Sequence, residues 1–121
     1  MDPDWNDSQP IYRQLRDRVV AMILDGHLKE GDPLPSVRNV ATETRINPLT
    51  VLKAYQQLEA EGLVEKRRGL GMFIRPDARE LLLATEREKF LTEQWPEIRA
   101  TIHRLGLAEQ LLGAGRPRGE D

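Results

Sequence analysis

The chain contains no cysteine. That excludes disulfides, thiol catalysis and any cysteine-ligated zinc site. His27 and His103 are its only histidines, too few for a histidine-rich metal cluster. No run approaches the ~18 or more apolar residues that a membrane span requires. The start, Met1-Asp2-Pro3-Asp4, is acidic and lacks the basic-then-apolar pattern of a secretory signal, so cytoplasmic residence is expected. General acid–base chemistry needs carboxylates or histidines converging in a cleft, and no such constellation is visible. At 121 residues the chain is one domain, or one domain with a short appendage. That is short for most cofactor-dependent enzymes, and no cofactor or metal is expected.

Charge is unevenly placed. The whole chain carries −2. Between Ser36 and Arg75, however, Arg38, Arg45, Lys53, Lys66, Arg67, Arg68 and Arg75 face only Glu43, Glu59, Glu61 and Glu65, giving +3. A local basic surface on an acidic protein is compatible with a polyanionic partner at one face.

Residues 1–9 show no periodicity and read as a loose arm, with Trp5 a candidate to dock on the body. A helix should open near Pro10, capped by Ser8. Ile11, Leu15, Val19, Met22 and Ile23 form its apolar stripe, and Gly26 ends it. Gly31-Asp32-Pro33-Leu34-Pro35 reads as a rigid turn. Ser36 then caps a short helix with Val37, Val40 and Ala41 inward and Arg38 outward. After the short break Thr44-Arg45-Ile46, Asn47-Pro48 is a cap followed by proline in the first turn. That third helix should run to about Glu61 and stop at Gly62. Residues 63–75 switch to a strand, a glycine turn at Gly69 to Gly71, and a second strand. Asp77 and Glu80, spaced like a capping box, open a fourth helix through about Thr92. Trp95-Pro96 should break it, before a fifth helix that Gly106 kinks or ends. Residues 113–121 read as a disordered tail.

The expected fold is therefore mainly α with a small β-hairpin. A winged helix-turn-helix domain over 10–76 is followed by a C-terminal α-helical dimerisation region over 77–112. Winding the third helix at 100° per residue puts Val51, Tyr55 and Leu58 in one ~60° arc, the core face. Thr50, Lys53 and Gln57 fall in another, with Leu49 beside them, and no acidic residue precedes Glu59. Those polar side chains suit base edges and phosphates, and Leu49 suits a thymine methyl. A merely solvated helix face is the competing reading from spacing alone. Ser36 and Asn47 place two helix N-termini near one surface, which favours phosphate oxygens. Arg38 and Arg45 flank the turn, although Arg38 could instead pair with Glu43 or Asp17. Arg67 and Arg68 sit at the wing, where Gly69 and Gly71 let its tip approach DNA. Tyr55 belongs to the core, and His27 and His103 to the surface.

Together, Leu34-Pro35-Ser36-Val37-Arg38, Asn47-Pro48-x-Thr50-Val51, Ala54-Tyr55-x-x-Leu58-Glu59-x-x-Gly62-Leu63 and Arg68-Gly69-x-Gly71-x-Phe73 closely resemble the GntR family of bacterial transcription regulators. The resemblance covers about residues 10–75. It implies double-stranded operator DNA as the partner, with contacts from Arg38, from Asn47 to Thr50 and from the wing near Gly71. Some branches of the family carry DNA-contacting arginines at the positions of Pro48 and Leu52; this chain does not, which leaves Lys53 and Arg45 as substitutes. The short region after residue 75 looks like that of the YtrA subfamily. That likeness implies a dimer formed by the C-terminal helices and repression of transport or stress operons.

Leu82, Phe90, Leu91, Trp95, Ile98, Ile102 and Leu105 are the candidate dimerisation residues. Left exposed, such a set would form a large apolar patch. Either it folds back to complete the monomer core, or it forms a two-fold interface, and the second is favoured. The region lacks the length to enclose much volume, so a small-molecule effector is allowed but not indicated. The competing function is a winged-helix module that binds protein rather than DNA, which would prefer an apolar or acidic recognition face.

Overall fold

The computed structural model describes residues 5–113. Helix α1 spans Ile11–Leu24, α2 Val37–Thr44 and α3 Pro48–Ala60. Strands β1 (Val64–Arg67) and β2 (Gly71–Ile74) follow, then α4 (Ala78–Lys89) and α5 (Trp95–Arg104). The chain divides into two compact units, one through Leu83 and one from Ala84. The first therefore extends seven residues past the expected boundary at 76. The expected tail lies, apart from Gly113, outside the described residues.

The first unit is built around α1 and α3. Leu15, Val19, Val20 and Ile23 of α1 pack with Val51, Ala54, Tyr55 and Leu58 of α3, and Leu63, Val64, Ile74, Ala78 and Leu82 close the core. Ile11 and Met22, placed on the stripe by period alone, lie at its edges and are exposed. Pro10 is the N-cap residue of α1 and not part of its first turn. Ser8 does not cap this helix: its backbone N–H donates to Asn6 Oδ1. The real anchor is Gln14, a buried polar residue on the helix's inner face. Its Nε2 donates to the carbonyls of Asn6 and Gln9, each at 2.7 Å, and its Oε1 accepts from the Asn6 N–H. Buried amides require such partners, and the result is a fixed segment over residues 5–9 in place of the expected loose arm. Trp5 packs against the core with the Arg18 guanidinium 4.4 Å from its ring centroid.

The end of α3 shows how sequence writes a helix stop. Gly62 adopts φ +79°. Its N–H bonds the Glu59 carbonyl while that of Leu63 reaches back to Leu58, the paired closure that favours glycine at this position. Helices α1 and α5 end the same way at Gly26 and Gly106.

Strands β1 and β2 are antiparallel, with Val64 opposite Ile74 and Arg67 opposite Gly71. The 31–35 segment is more than a turn. Leu34 donates to the Met72 carbonyl, Gly31 to that of Ile74, and the Ile74 N–H to Asp32. These bonds and the Pro33–Phe73 bridge cover the outer edge of β2 and tie the hairpin to the segment that enters α2.

Trp95-Pro96 does not break the chain out of helix. A π-helical turn over Phe90–Gln94 joins α4 to α5, with the Trp95 N–H bonding the Phe90 carbonyl. Proline lacks the N–H for an ordinary helical bond, and the widened turn absorbs the defect with Pro96 in the first turn of α5. A second π-helical turn spans Glu109–Gly113. No described residue of the second unit is buried within the chain. Leu82 corrects the expected interface: at 1% exposure it belongs to the first unit's core and offers nothing to a partner. Among the described residues no helix is long and apolar enough to cross a membrane.

Candidate nucleic-acid interface

Helices α2 and α3 enclose the turn Arg45-Ile46-Asn47. Ile46 is buried beneath it and Arg45 stands at φ +59°, the one non-glycine residue with positive φ among those described. L-residues pay steric strain in this left-handed region, and Arg45 adopts it to terminate α2. Arg38, Arg45, Asn47 and Pro48, with Val37 and Ala41, line an open concavity of about 630 Å³. Arg38 and Arg45 are exposed, and among the described residues no carboxylate pairs with either. The alternative pairing of Arg38 with Glu43 or Asp17 is not formed. Asp17 binds Arg16 instead.

The two helix starts differ. The Ser36 hydroxyl accepts the Asn39 N–H at 3.0 Å. The N–H groups of Val37 and Arg38 keep no acceptor among the described residues, so α2 presents free donors. At α3, Pro48 has no N–H, Asn47 Oδ1 takes that of Leu49, and the Asn47 carbonyl takes those of Thr50 and Val51. The first turn of α3 is thus already satisfied, and the expected pair of anion-ready helix ends reduces to one.

The outward face of α3 is also rotated from expectation. Ala54 is completely buried, as are Val51 and Leu58, which swings the core arc toward Thr50 and Gln57. Both are half-buried on a flank. Gln57 Nε2 donates to Glu61 at 2.7 Å, so it is not a free reader of bases. Lys53 is exposed, its ammonium 4.2 Å from the centroid of the Tyr12 ring on α1. Leu49, at 72% exposure, is open to solvent beside it. Gln56, unselected by the period argument, shares the exposed side.

One turn further along α1, Arg16 binds Glu61 through both of its oxygens and also meets Asp17. Burial alone would push Glu61 up, but the bonds from Arg16 and Gln57 outweigh it and hold its carboxyl below the ordinary value. Burial opposes charge on Arg16 too, and its bonds to Glu61 and Asp17, with the charges of both carboxylates, override it and raise its pKa. This clamp fixes the C-terminal end of α3 against α1.

At the wing, Arg67 lies 4.2 Å from the Phe73 ring centroid and 3.1 Å from Glu65. It is therefore partly neutralised, whereas Arg68 has no ion-pair partner among the described residues. Gly69 and Gly71 take φ +75° and +110°, conformations that side chains resist. Between them Leu70 is 72% exposed at the tip. It was hidden in the sequence as the variable residue of a glycine motif. The described residues hold no cluster of His, Asp or Glu able to ligate a metal.

A helix-turn-helix pair followed by a two-stranded wing defines the winged helix-turn-helix class of DNA-binding folds. Residues 11–74 match "Bacterial regulatory proteins, gntR family". The chain is 38% identical over 109 residues to the HTH-type transcriptional repressor YtrA of Bacillus subtilis (strain 168), covering 90% of this chain and 83% of that protein. It is 43% identical over 74 residues to the uncharacterized HTH-type transcriptional regulator YhcF of the same organism, spanning 61% of each. Among solved structures, a GntR family transcriptional regulator from Listeria monocytogenes is similar with a TM-score of 0.72 and 32% identity, over 91% of this chain and 95% of that one. The chain belongs to the GntR family of bacterial regulatory proteins. It is a DNA-binding transcriptional regulator and not an enzyme.

Proposed function

We propose that the protein is a dimeric, sequence-specific repressor acting in the cytoplasm on a pseudo-palindromic operator. The observation that carries this reading is the surface around the helix-turn-helix turn. There, Arg38 and Arg45, which have no ion-pair partner among the described residues, flank a concavity that also takes in the start of α3. Arg38 with the free N–H groups of α2, Arg45 and Arg68 supply phosphate contacts. Leu49 and Thr50 face the bases, Lys53 meets a phosphate at the edge of the same face, and Asn47 sets the helix start. Gln57 and Arg67 act through the side chains they hold, and Ser36, Gly69 and Gly71 by shaping the backbone.

The exposed apolar residues Phe90, Leu91, Ile98 and Leu105, with half-buried Trp95 and Ile102, support a two-fold interface in the helical region of residues 77–112. A dimer carries two recognition helices to two half-sites. Repression is supported by the similarity to YtrA, and a transport or stress operon is the target class that the subfamily likeness implies.

The test is selection of bound fragments from sheared genomic DNA by the purified protein at ~150 mM salt, near physiological ionic strength. A recovered inverted repeat is expected. Fragments without a shared motif would reduce the binding to electrostatics. Retention of no DNA would favour a protein-binding module and overturn the proposal.

A further inference from the structure

Helices α1 and α3 meet along two rungs. Arg16 clamps Glu61, which also receives Gln57. One turn earlier, Tyr12 lies under Lys53, with the ammonium 4.2 Å from the ring centroid. The rungs do different work. The Arg16 rung is partly buried and joins opposite charges, as a structural clamp does. In the Tyr12 rung an exposed cation rests on a half-buried ring that packs against the core. The Lys53 ammonium has no carboxylate partner among the described residues. The Tyr12 hydroxyl likewise has no hydrogen-bond partner there.

We infer that Tyr12 and Lys53 form a paired phosphate site, in which the α1 ring positions the α3 ammonium and the phenol adds a second donor to the same phosphate. This rests on the reading of α3 as the DNA-facing helix. The ring occupies only one side of the ammonium, leaving its other donors for a phosphate oxygen. A free lysine must surrender much rotamer freedom to hold one phosphate. The ring removes part of that cost before DNA arrives. Tyr12 thus positions Lys53 and touches the same phosphate from outside the helix-turn-helix, and it is not among the residues of the apolar stripe of α1.

The experiment is a two-by-two affinity cycle on the full chain. It uses a mixed-sequence DNA duplex from ~50 to 200 mM salt, where phosphate contacts dominate. The variants are Tyr12→Leu, Lys53→Gln and the double substitution, with Tyr12→Phe as a conservative fourth and thermal melts to verify folding. Lys53→Gln should weaken binding and lower the salt slope by ~0.9, one phosphate's share. Tyr12→Leu should weaken binding about two- to fivefold in the wild-type background and by a smaller factor, the phenol's share alone, in the Lys53→Gln background. Tyr12→Phe should retain the dependence on Lys53 while losing part of the affinity.

Equal losses from Tyr12→Leu in both backgrounds, or none in either, would overturn the pairing while leaving α3 on the DNA. So would full wild-type affinity for Tyr12→Phe as regards the phenol. An unchanged affinity and slope for Lys53→Gln would overturn the placement of this face of α3 on DNA, and the pairing with it.

Discussion

The Tyr55 hydroxyl, from the middle of α3, donates to the Pro35 carbonyl at 2.7 Å. A single bond thus ties the recognition helix to the residue that precedes the cap of α2. The ring is buried, and burial pushes the phenol up to about 12. Tyr55→Phe should cost about 1 kcal/mol, because it strands the Pro35 carbonyl. The folded value lies above the unfolded value of 10.0. The associated stability is therefore complete below pH 10 and lost as pH rises toward 12. Chemical denaturation of both proteins at neutral pH, and a phenolate absorbance titration in which Tyr55→Phe removes the late phase, check the two statements.

The Arg16–Glu61 clamp carries the opposite pH signature. Glu61 titrates below its ordinary 4.5 when folded. Its contribution is present above that value and lost as pH falls through the lower folded value. Glu61→Gln should flatten the acid limb of the stability profile and leave Arg16 half-satisfied at neutral pH. Denaturant midpoints measured from neutral to acidic pH would show whether the two profiles converge in acid. Parallel profiles would deny Glu61 this role.

Arg45 sets stability against binding. Arg45→Gly relieves the left-handed backbone and should stabilise the fold by about 1 kcal/mol, while removing a cation from the concavity. The expected outcome is a higher melting temperature with weaker DNA binding and a salt slope lower by ~0.9. If affinity is unchanged, Arg45 serves only the turn.

Leu82 and Leu105 should separate folding from assembly. Leu82→Ala empties a core site and should cost about 2–5 kcal/mol. Leu105→Glu changes a residue exposed in the single chain and should leave the first unit's stability intact while converting dimer to monomer. Sedimentation and melting of both variants test this. A dimer persisting in Leu105→Glu would remove that residue from the interface.

Local chemistry made much of this protein legible from its sequence. Ser36 and Asn47 cap their helices through their own side chains. Gly62 ends α3, and Gly69 and Gly71 turn the wing, because these outcomes depend on backbone conformation within a few residues. The helix order, Val51, Tyr55 and Leu58 as core residues of α3, and the family motif follow from the same short-range signals.

What only the tertiary structure decided lies between elements. Period alone could not rotate α3 correctly, because the complete burial of Ala54 depends on the elements that pack around α3. Nor could it show that Arg16 of α1 clamps Glu61 at the end of α3, or that Tyr55 reaches the Pro35 carbonyl. Leu82 and Leu105 read alike as apolar helical residues, yet one closes a core and the other faces out. Partners far apart in sequence leave no periodic trace; packing brings them together, and packing therefore decides which polar groups remain free to bind.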